Sequence, residues 1–344
     1  MPAAPSRVVR QLLELMPELT ATRSLDKALA NVRRNTPLVR RTIAELAREA
    51  AAHEPRSAIV IAAGPSLHRT RSIARIRASG YDGDLIAVDS ALGPCLREGL
   101  VPTHVVTLDP LSVRICRWFG DPDLASREDD DYFRRQEMDP YLGVDEAQRN
   151  RELIELVNRH GPAIKAVICT SSTPEVTRRC QECGMTLYWW NPMVDDVDRP
   201  DSVTRKLYEM NRAPCLASGG NVGAAAWVVA SCVLRRREVA VVGMDFGYAP
   251  GTPVEKTQYY PELRELFGDR LQEFLIPVRN PHLGETWFAD PAYYWYREQL
   301  LQMASEAACV TYNCTGGGTL FGPSVRWTPL QEFLAARCPA EKGS

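Results

Sequence analysis

Five polar residues stand out by position: Ser66, Asp89, Asp109 and Asp245 each follow an apolar run of strand length, and Ser218 opens a Gly-rich turn ahead of an Ala-rich stretch. A carboxylate at a strand end can bind ribose hydroxyls, hold Mg2+ against phosphates or accept a proton. Any one of the three aspartates is explained equally well as a loop cap; three in parallel positions are harder to dismiss. Gly64-Pro65-Ser66-Leu67 follows the run AIVIAA. Gly64 permits close approach of the main chain to a ligand, and Ser66 offers a hydroxyl at a helix start. With one glycine and no Lys-Ser/Thr pair, this is neither a P-loop nor G-x-G-x-x-G. Ser218-Gly219-Gly220-Asn221 precedes V-G-A-A-A-W. Packing accounts for the alanines but not for Ser218 and Asn221, which favour phosphate or sugar recognition.

Other chemistries lack their residues. The five histidines form no H-E-x-x-H and no close pair, Cys180-x-x-Cys183 stands alone as a helix-face thiol pair, and no G-x-S-x-G elbow is present. Aromatics gather between Tyr248 and Tyr296. Tyr293–Tyr296 read as one packing helix, leaving Tyr248 and Tyr259 as candidates for stacking on a base or sugar.

Positioning these residues requires strands. Apolar runs at 58–63, 84–88, 103–108, 163–169, 186–190, 238–244 and 309–312 alternate with helical stretches, which predicts an α/β fold with a mostly parallel sheet flanked by helices. In such sheets ligands bind beyond the carboxyl ends of the strands, and Ser171, Ser172, Asn191 and Asn313 join the five residues above at those ends. Residues 6–53 show helical spacing, so 1–55 read as an N-terminal helical segment and 56–335 as the catalytic domain, with 249–292 a lid or insertion. The charged segment 120–150 reads as an exposed excursion.

Composition bounds the rest. The 344 residues suffice for one large or two modest domains, and 41 Lys+Arg against 43 Asp+Glu leave a net charge of −2, with no basic field for nucleic acid or an anionic membrane. Ten cysteines, most within apolar runs, suit a reducing compartment; no signal peptide or membrane span is visible, so a cytoplasmic protein is expected.

Four motifs together, G-P-S-L at 64–67, D-S-A-L through T-H-V-V-T-L-D-P over 89–110, S-G-G-N-V-G at 218–223 and V-V-G-M-D-F-G-Y at 241–248, resemble the group formerly called DUF115. That group contains motility-associated Maf glycosyltransferases and MptE-type 6-hydroxymethylpterin diphosphokinases. The outline is also similar to family 42 sialyltransferases. The resemblance runs from about Ser57 to Gly322 and implies a Rossmann-like fold binding an activated nucleotide. By analogy with the sialyltransferases, Gly64, Pro65, Ser66, Ser218 and Gly219 would hold the CMP part of a donor, with Gly220, Asn221, Asp89 and Asp109 completing the nucleotide site. Tyr248 sits one position later than their phosphate-stabilising tyrosine, Asp89 and Asp109 replace asparagines, and the general base is Glu285, His282 or an aspartate such as Asp245.

The resulting expectation is a glycosyltransferase moving a nonulosonic-acid-type sugar from a CMP donor to a hydroxyl acceptor on a glycan or protein, with no cofactor. The alternative is an ATP pyrophosphokinase with Mg2+ on Asp89, Asp109 and Asp245. A third reading is a non-catalytic nucleotide-binding module docked through its N-terminal helices. Oligomerisation is left open.

Overall fold

Runs such as Ala58–Ile61 carry no polar side chain on either face, so they are stable only when both faces of the sheet are covered. The computed structural model describes residues 25–52, 57–110, 113–127 and 145–337. Among these, strands β1 (Ala58–Ile61), β2 (Asp84–Val88), β3 (His104–Thr107), β4 (Lys165–Cys169), β5 (Thr186–Pro192) and β6 (Cys215–Leu216) succeed one another outward. β7 (Glu238–Val242) returns to the other side of β1. A separate antiparallel hairpin, β8 (Ile276–Arg279) and β9 (Thr286–Ala289), follows; β10 (Val310–Asn313) and β11 (Val325–Trp327) then extend the sheet beyond β7. All neighbours in the nine-stranded sheet are parallel. The mostly parallel Rossmann-like α/β architecture is thus the observed one.

Side-chain alternation fills two cores. Val105, Ala166, Ile168 and Trp189 enter one apolar cluster, while their neighbours Val106, Val167, Cys169, Tyr188 and Trp190 enter the other. The helix Val222–Val228, continued by a π turn over Val229–Val233, packs its alanines against β1, β2 and β3. Small side chains there let helix and sheet approach closely.

The N-terminal helical expectation is met by a helix over 25–35 and by Ile43–Ala51, which starts on a Thr42/Glu45 capping box; residues 6–24 lie outside the described residues. Asn31 and Asn35, one turn apart and buried, donate to the carbonyls of Pro110 (3.0 Å), Ser171 (2.9 Å), Thr170 (2.9 Å) and Ser172 (2.8 Å). This helix therefore seals the carboxyl ends of β3 and β4. The reading of Ser171, Ser172, Asn191 and Asn313 as site residues is corrected here. Asn191 bonds Thr170, Asn211 and the Ala213 carbonyl, and Asn313 bonds the Leu320 carbonyl and the Thr315 amide. The Ser171 hydroxyl donates to Leu108 O, and that of Ser172 is buried without a partner among the described residues. Strand ends expose backbone groups that need partners, and three of these polar side chains supply them.

In the 120–150 segment the described parts are a short 3-10 turn, Leu124–Ser126, and the start of helix Glu146–His160; 128–144 lie outside the described residues. The 249–292 segment holds helix Tyr260–Phe267 and the β8–β9 hairpin, tied to the sheet exit by paired backbone bonds between Tyr248 and Phe288. Cys180 and Cys183 are buried free thiols at the end of helix Pro174–Glu182.

Candidate active site

The strand order reverses between β1 and β7, and that is where an open parallel sheet forms its crevice. The two strands stay zipped past their ends: Ala62 N donates to Val242 O (2.9 Å) and Gly64 N to Gly243 O (2.8 Å). This places the G-P-S turn directly against the M-D-F-G exit of β7. Asp245 Oδ2 accepts from both the Ser66 amide (3.1 Å) and the Ser66 hydroxyl (2.9 Å). A Cβ on Gly64 would lie 2.0 Å from that oxygen and 2.6 Å from Gly243 O, so only glycine fits. Asp245 Oδ1 is buried and has no partner among the described residues. Burial pushes the Asp245 carboxyl up to about 6, partly offset by Ser66 and by the charge of Arg69.

Asp89 and Asp109 sit one and two strands away, at the exits of β2 and β3. Asp89 Oδ2 accepts from Thr107 Oγ1 (2.9 Å) and Oδ1 from the Ser90 amide (2.7 Å). Its burial, with Asp109's charge adding to it, raises the carboxyl to about 6. The expected three-aspartate set thus divides: Asp89 feels the charge of Asp109, and Asp245 is bonded to Ser66. Among the described residues no cluster of three or more His, Cys, Asp or Glu is placed to hold a metal ion.

The helix that follows the 218–221 turn starts at the same crevice, while the turn itself packs on helix Pro291–Glu306. Gly223 lies against Met244 and Ala62, the exits of β7 and β1, while a Cβ on Gly220 would collide with the rings of Trp295 and Tyr296. Asn221 is the helix N-cap, accepting from Ala224 N (2.9 Å), which accounts for its position without a ligand. Ser218 is half-buried, and the amides of Gly219 and Gly220 meet no acceptor among the described residues.

Four candidates are placed elsewhere. Tyr248, expected beside the leaving phosphate, is half-buried, and its hydroxyl donates to Asp290 Oδ2 (2.6 Å) while accepting from the Gln258 amide (3.0 Å). Its ring packs on Tyr293, and Tyr259 is likewise half-buried, its hydroxyl bonded to that of Tyr296 (3.0 Å). Both hydroxyls are committed to protein partners. His282 is exposed on the β8–β9 turn and stacks on Trp327 of the edge strand β11, 4.9 Å between centroids. Glu285 is exposed and accepts from the Trp287 indole (3.3 Å). That indole roofs Gly317, whose added Cβ would sit 3.3 Å from Asp245 Oδ1, so Glu285 approaches the crevice only through Trp287.

The sequence reading missed this roof. Thr315-Gly316-Gly317-Gly318-Thr319 wraps Asp245, with Thr319 N donating to Asp245 O (2.8 Å) and Met244 N to Thr315 Oγ1 (3.3 Å). Three glycines directly after a strand were the available signal, the same kind that singled out 218–223. Arg69 was missed too. A cavity of about 620 Å3 lies along helix Pro291–Glu306 near Pro323 and Ser324, and none of these strand-end residues lines it.

Two outcomes follow from this placement. Tyr248→Phe is expected to destabilise the fold by about 1–3 kcal/mol, because Asp290 loses its partner in a buried setting; equilibrium urea unfolding measures it. His282→Ala is expected to leave turnover within about twofold of wild type, since an exposed ring stacked on an edge strand touches no part of the crevice; initial rates under the assay below check it.

These observations define the class: a Rossmann-like α/β chain with a polar crevice at its topological switch point. Residues 27–118 match the model of the family described as 6-hydroxymethylpterin diphosphokinase MptE-like, a region that includes the G-P-S turn, Asp89 and Asp109. Among solved structures the chain is similar in fold to a Maf glycosyltransferase from Magnetospirillum magneticum AMB-1, at 15% identity and a TM-score of 0.50. The likeness covers 83% of this chain and 37% of that one, so this chain spans well under half of that protein's length. No curated protein sequence matches. Among the described residues no helix is long and apolar enough to cross a membrane.

Proposed function

We propose that the chain is a transferase acting on a nucleoside-phosphate donor bound in the β1/β7 crevice, and that the group transferred is a sugar of the nonulosonic-acid type carried by CMP. The observation that carries this reading is Asp245: its carboxylate is fixed by Ser66 through Oδ2 and left open at Oδ1, at the switch point, with its proton affinity raised toward neutrality by burial. A base of that kind is ionised at neutral pH and still basic enough to take a proton in a transition state. In the transfer, the acceptor hydroxyl oxygen forms the new bond to the anomeric carbon and its proton passes to Asp245 Oδ1. The bond from that carbon to the donor phosphate breaks, its electron pair leaving on the phosphate oxygen. Ser218 and the amides of Gly219 and Gly220, just ahead of Gly223 at the crevice, would offer donors to the nucleotide. The fold likeness to a Maf glycosyltransferase agrees with sugar transfer. This scheme draws on no metal.

A second reading, pyrophosphoryl transfer from ATP, is favoured by the MptE-like match over 27–118 and by the Asp89–Asp109 pair. Two carboxylates suit a Mg2+ ion that completes its octahedron with phosphate and water oxygens, and the ion would supply neutralisation of the triphosphate. Asp245 would lie outside that pair.

The test incubates the chain with a CMP-nonulosonate and an oligosaccharide acceptor without metal, and separately with ATP, Mg2+ and 6-hydroxymethylpterin. Release of CMP in the first mixture is the expected result. Release of AMP in the second alone moves the assignment to the pyrophosphokinase, and nucleotide binding without either release leaves a binding module.

A further inference from the structure

The loop Thr315–Thr319 is held from several sides yet keeps its own donors unspent. Cys314 N donates to Val241 O (2.9 Å), Thr319 N to Asp245 O (2.8 Å), and Asn280 Nδ2 to Gly318 O (2.9 Å), so its path is fixed by β7 and by the β8–β9 hairpin. The amides of Gly316, Gly317 and Gly318 nevertheless meet no acceptor among the described residues, although Gly317 and Gly318 are buried. Buried amides are rarely left unmatched. Gly316 (φ 69°) and Gly318 (φ 79°) are left-handed on either side of Gly317, a pattern that turns successive N–H groups toward one concavity suited to an anion.

A second, independent observation lies beside it. Asp245 Oδ1, on a side chain only 4% exposed, is without a partner among the described residues and lies 3.3 Å from where a Cβ on Gly317 would sit. Gly316 also abuts Thr70, next to Arg69, whose charge reaches Asp245. Donors, a cation's charge and one unpartnered acceptor thus gather around Gly317. A phosphate flanked by a hydroxyl matches that set: the phosphate oxygens accept from the amides and Arg69, and the hydroxyl donates to Oδ1.

We infer that the Gly316–Gly318 amides and Arg69 form the cradle for the donor's phosphate, which rests on the transferase reading above and assigns to this loop the charge that develops as the phosphate leaves. The Ser66 donors cannot do so, because Asp245 Oδ2 already takes them.

Titration calorimetry with CMP, cytidine and ribose 5-phosphate on wild type, Gly317→Ala and Arg69→Gln tests this. Gly317 does not have a left-handed φ, so its methyl adds no backbone strain; it would sit 3.0 Å from Trp287 Cη2 and 3.3 Å from Asp245 Oδ1, filling the cradle. Arg69 is exposed, so its variant folds even where the first does not. The expected result is CMP binding weakened about tenfold or more in each folded variant, with Arg69→Gln leaving cytidine binding unchanged. Wild-type affinity for CMP in both folded variants, or in Arg69→Gln where Gly317→Ala does not fold, overturns the cradle while the nucleotide reading stands. Ribose 5-phosphate binding that depends on these residues, without any CMP binding, keeps the cradle and ends the nucleotide reading. Absence of binding by all three probes ends both.

Discussion

Gly64→Ala is expected to lose nucleotide binding and to destabilise the chain by about 3 kcal/mol or more. The added methyl would stand 2.0 Å from Asp245 Oδ2, 2.6 Å from Gly243 O and 2.9 Å from Asp245 Cγ. None of these can withdraw cheaply. The carboxylate is fixed by two bonds to Ser66, and the Gly243 carbonyl accepts from the Gly64 amide itself. Overpacking alone costs about 1–3 kcal/mol, and separating the turn from β7 adds unmatched buried polar groups. Urea midpoints measure the stability and calorimetry with CMP the binding; a variant with both at wild-type values would remove the G-P-S turn from the account.

Asp245→Asn is expected to reduce turnover by about two to three orders of magnitude with the fold intact, the range associated with loss of a positioned base. The amide oxygen can take the place of Oδ2 and keep both Ser66 bonds, while the NH2 group replaces the open acceptor Oδ1. At pH 7 this variant should be as stable as wild type or more so, because a buried carboxylate has been replaced by a neutral amide. Retained turnover would transfer the base to Glu285, the remaining carboxylate near the roof.

The same burial gives the stability a pH dependence of definite sign. Asp89, Asp245 and Asp290 are each raised by burial to about 6, above the ordinary carboxyl value of about 3.9. The folded chain therefore holds their protons more tightly than the unfolded chain does. Their contribution is fully present below about pH 4, is lost as the pH rises to about 6, and changes little above that. Asp290→Asn preserves the cap on helix Pro291–Glu306 and should flatten this fall between pH 4.5 and 7 by up to about 3 kcal/mol. Urea midpoints across that range check it, and an unchanged slope would contradict the assignment.

The strands were legible because parallel strands buried on both faces leave uninterrupted apolar runs, and their carboxyl ends followed from the fold class. The pairing of Ser66 with Asp245 was not legible, since it joins segments 179 residues apart. The N-terminal helix hid the fate of Ser171 and Ser172 in the same way: nothing in the local sequence says that Asn31 and Asn35 will cover the ends of β3 and β4. The partners of Tyr248 and Tyr259 were not legible, because an aromatic with a polar handle looks alike whether its hydroxyl meets a ligand or, as here, Asp290 and Tyr296. The T-G-G-G-T loop carries the same signal as 218–223, three glycines at the end of a strand, and is legible by the same rule.

Hydrogen–deuterium exchange with and without CMP locates the bound nucleotide on the chain directly. Slower exchange is expected at 62–70, 217–223, 243–247 and 315–319, with no change along β5 and β6. Protection confined to the groove around Glu298, Ser305 and Ser324, or absent from all four segments while CMP is bound, would contradict a nucleotide site at the β1/β7 crevice.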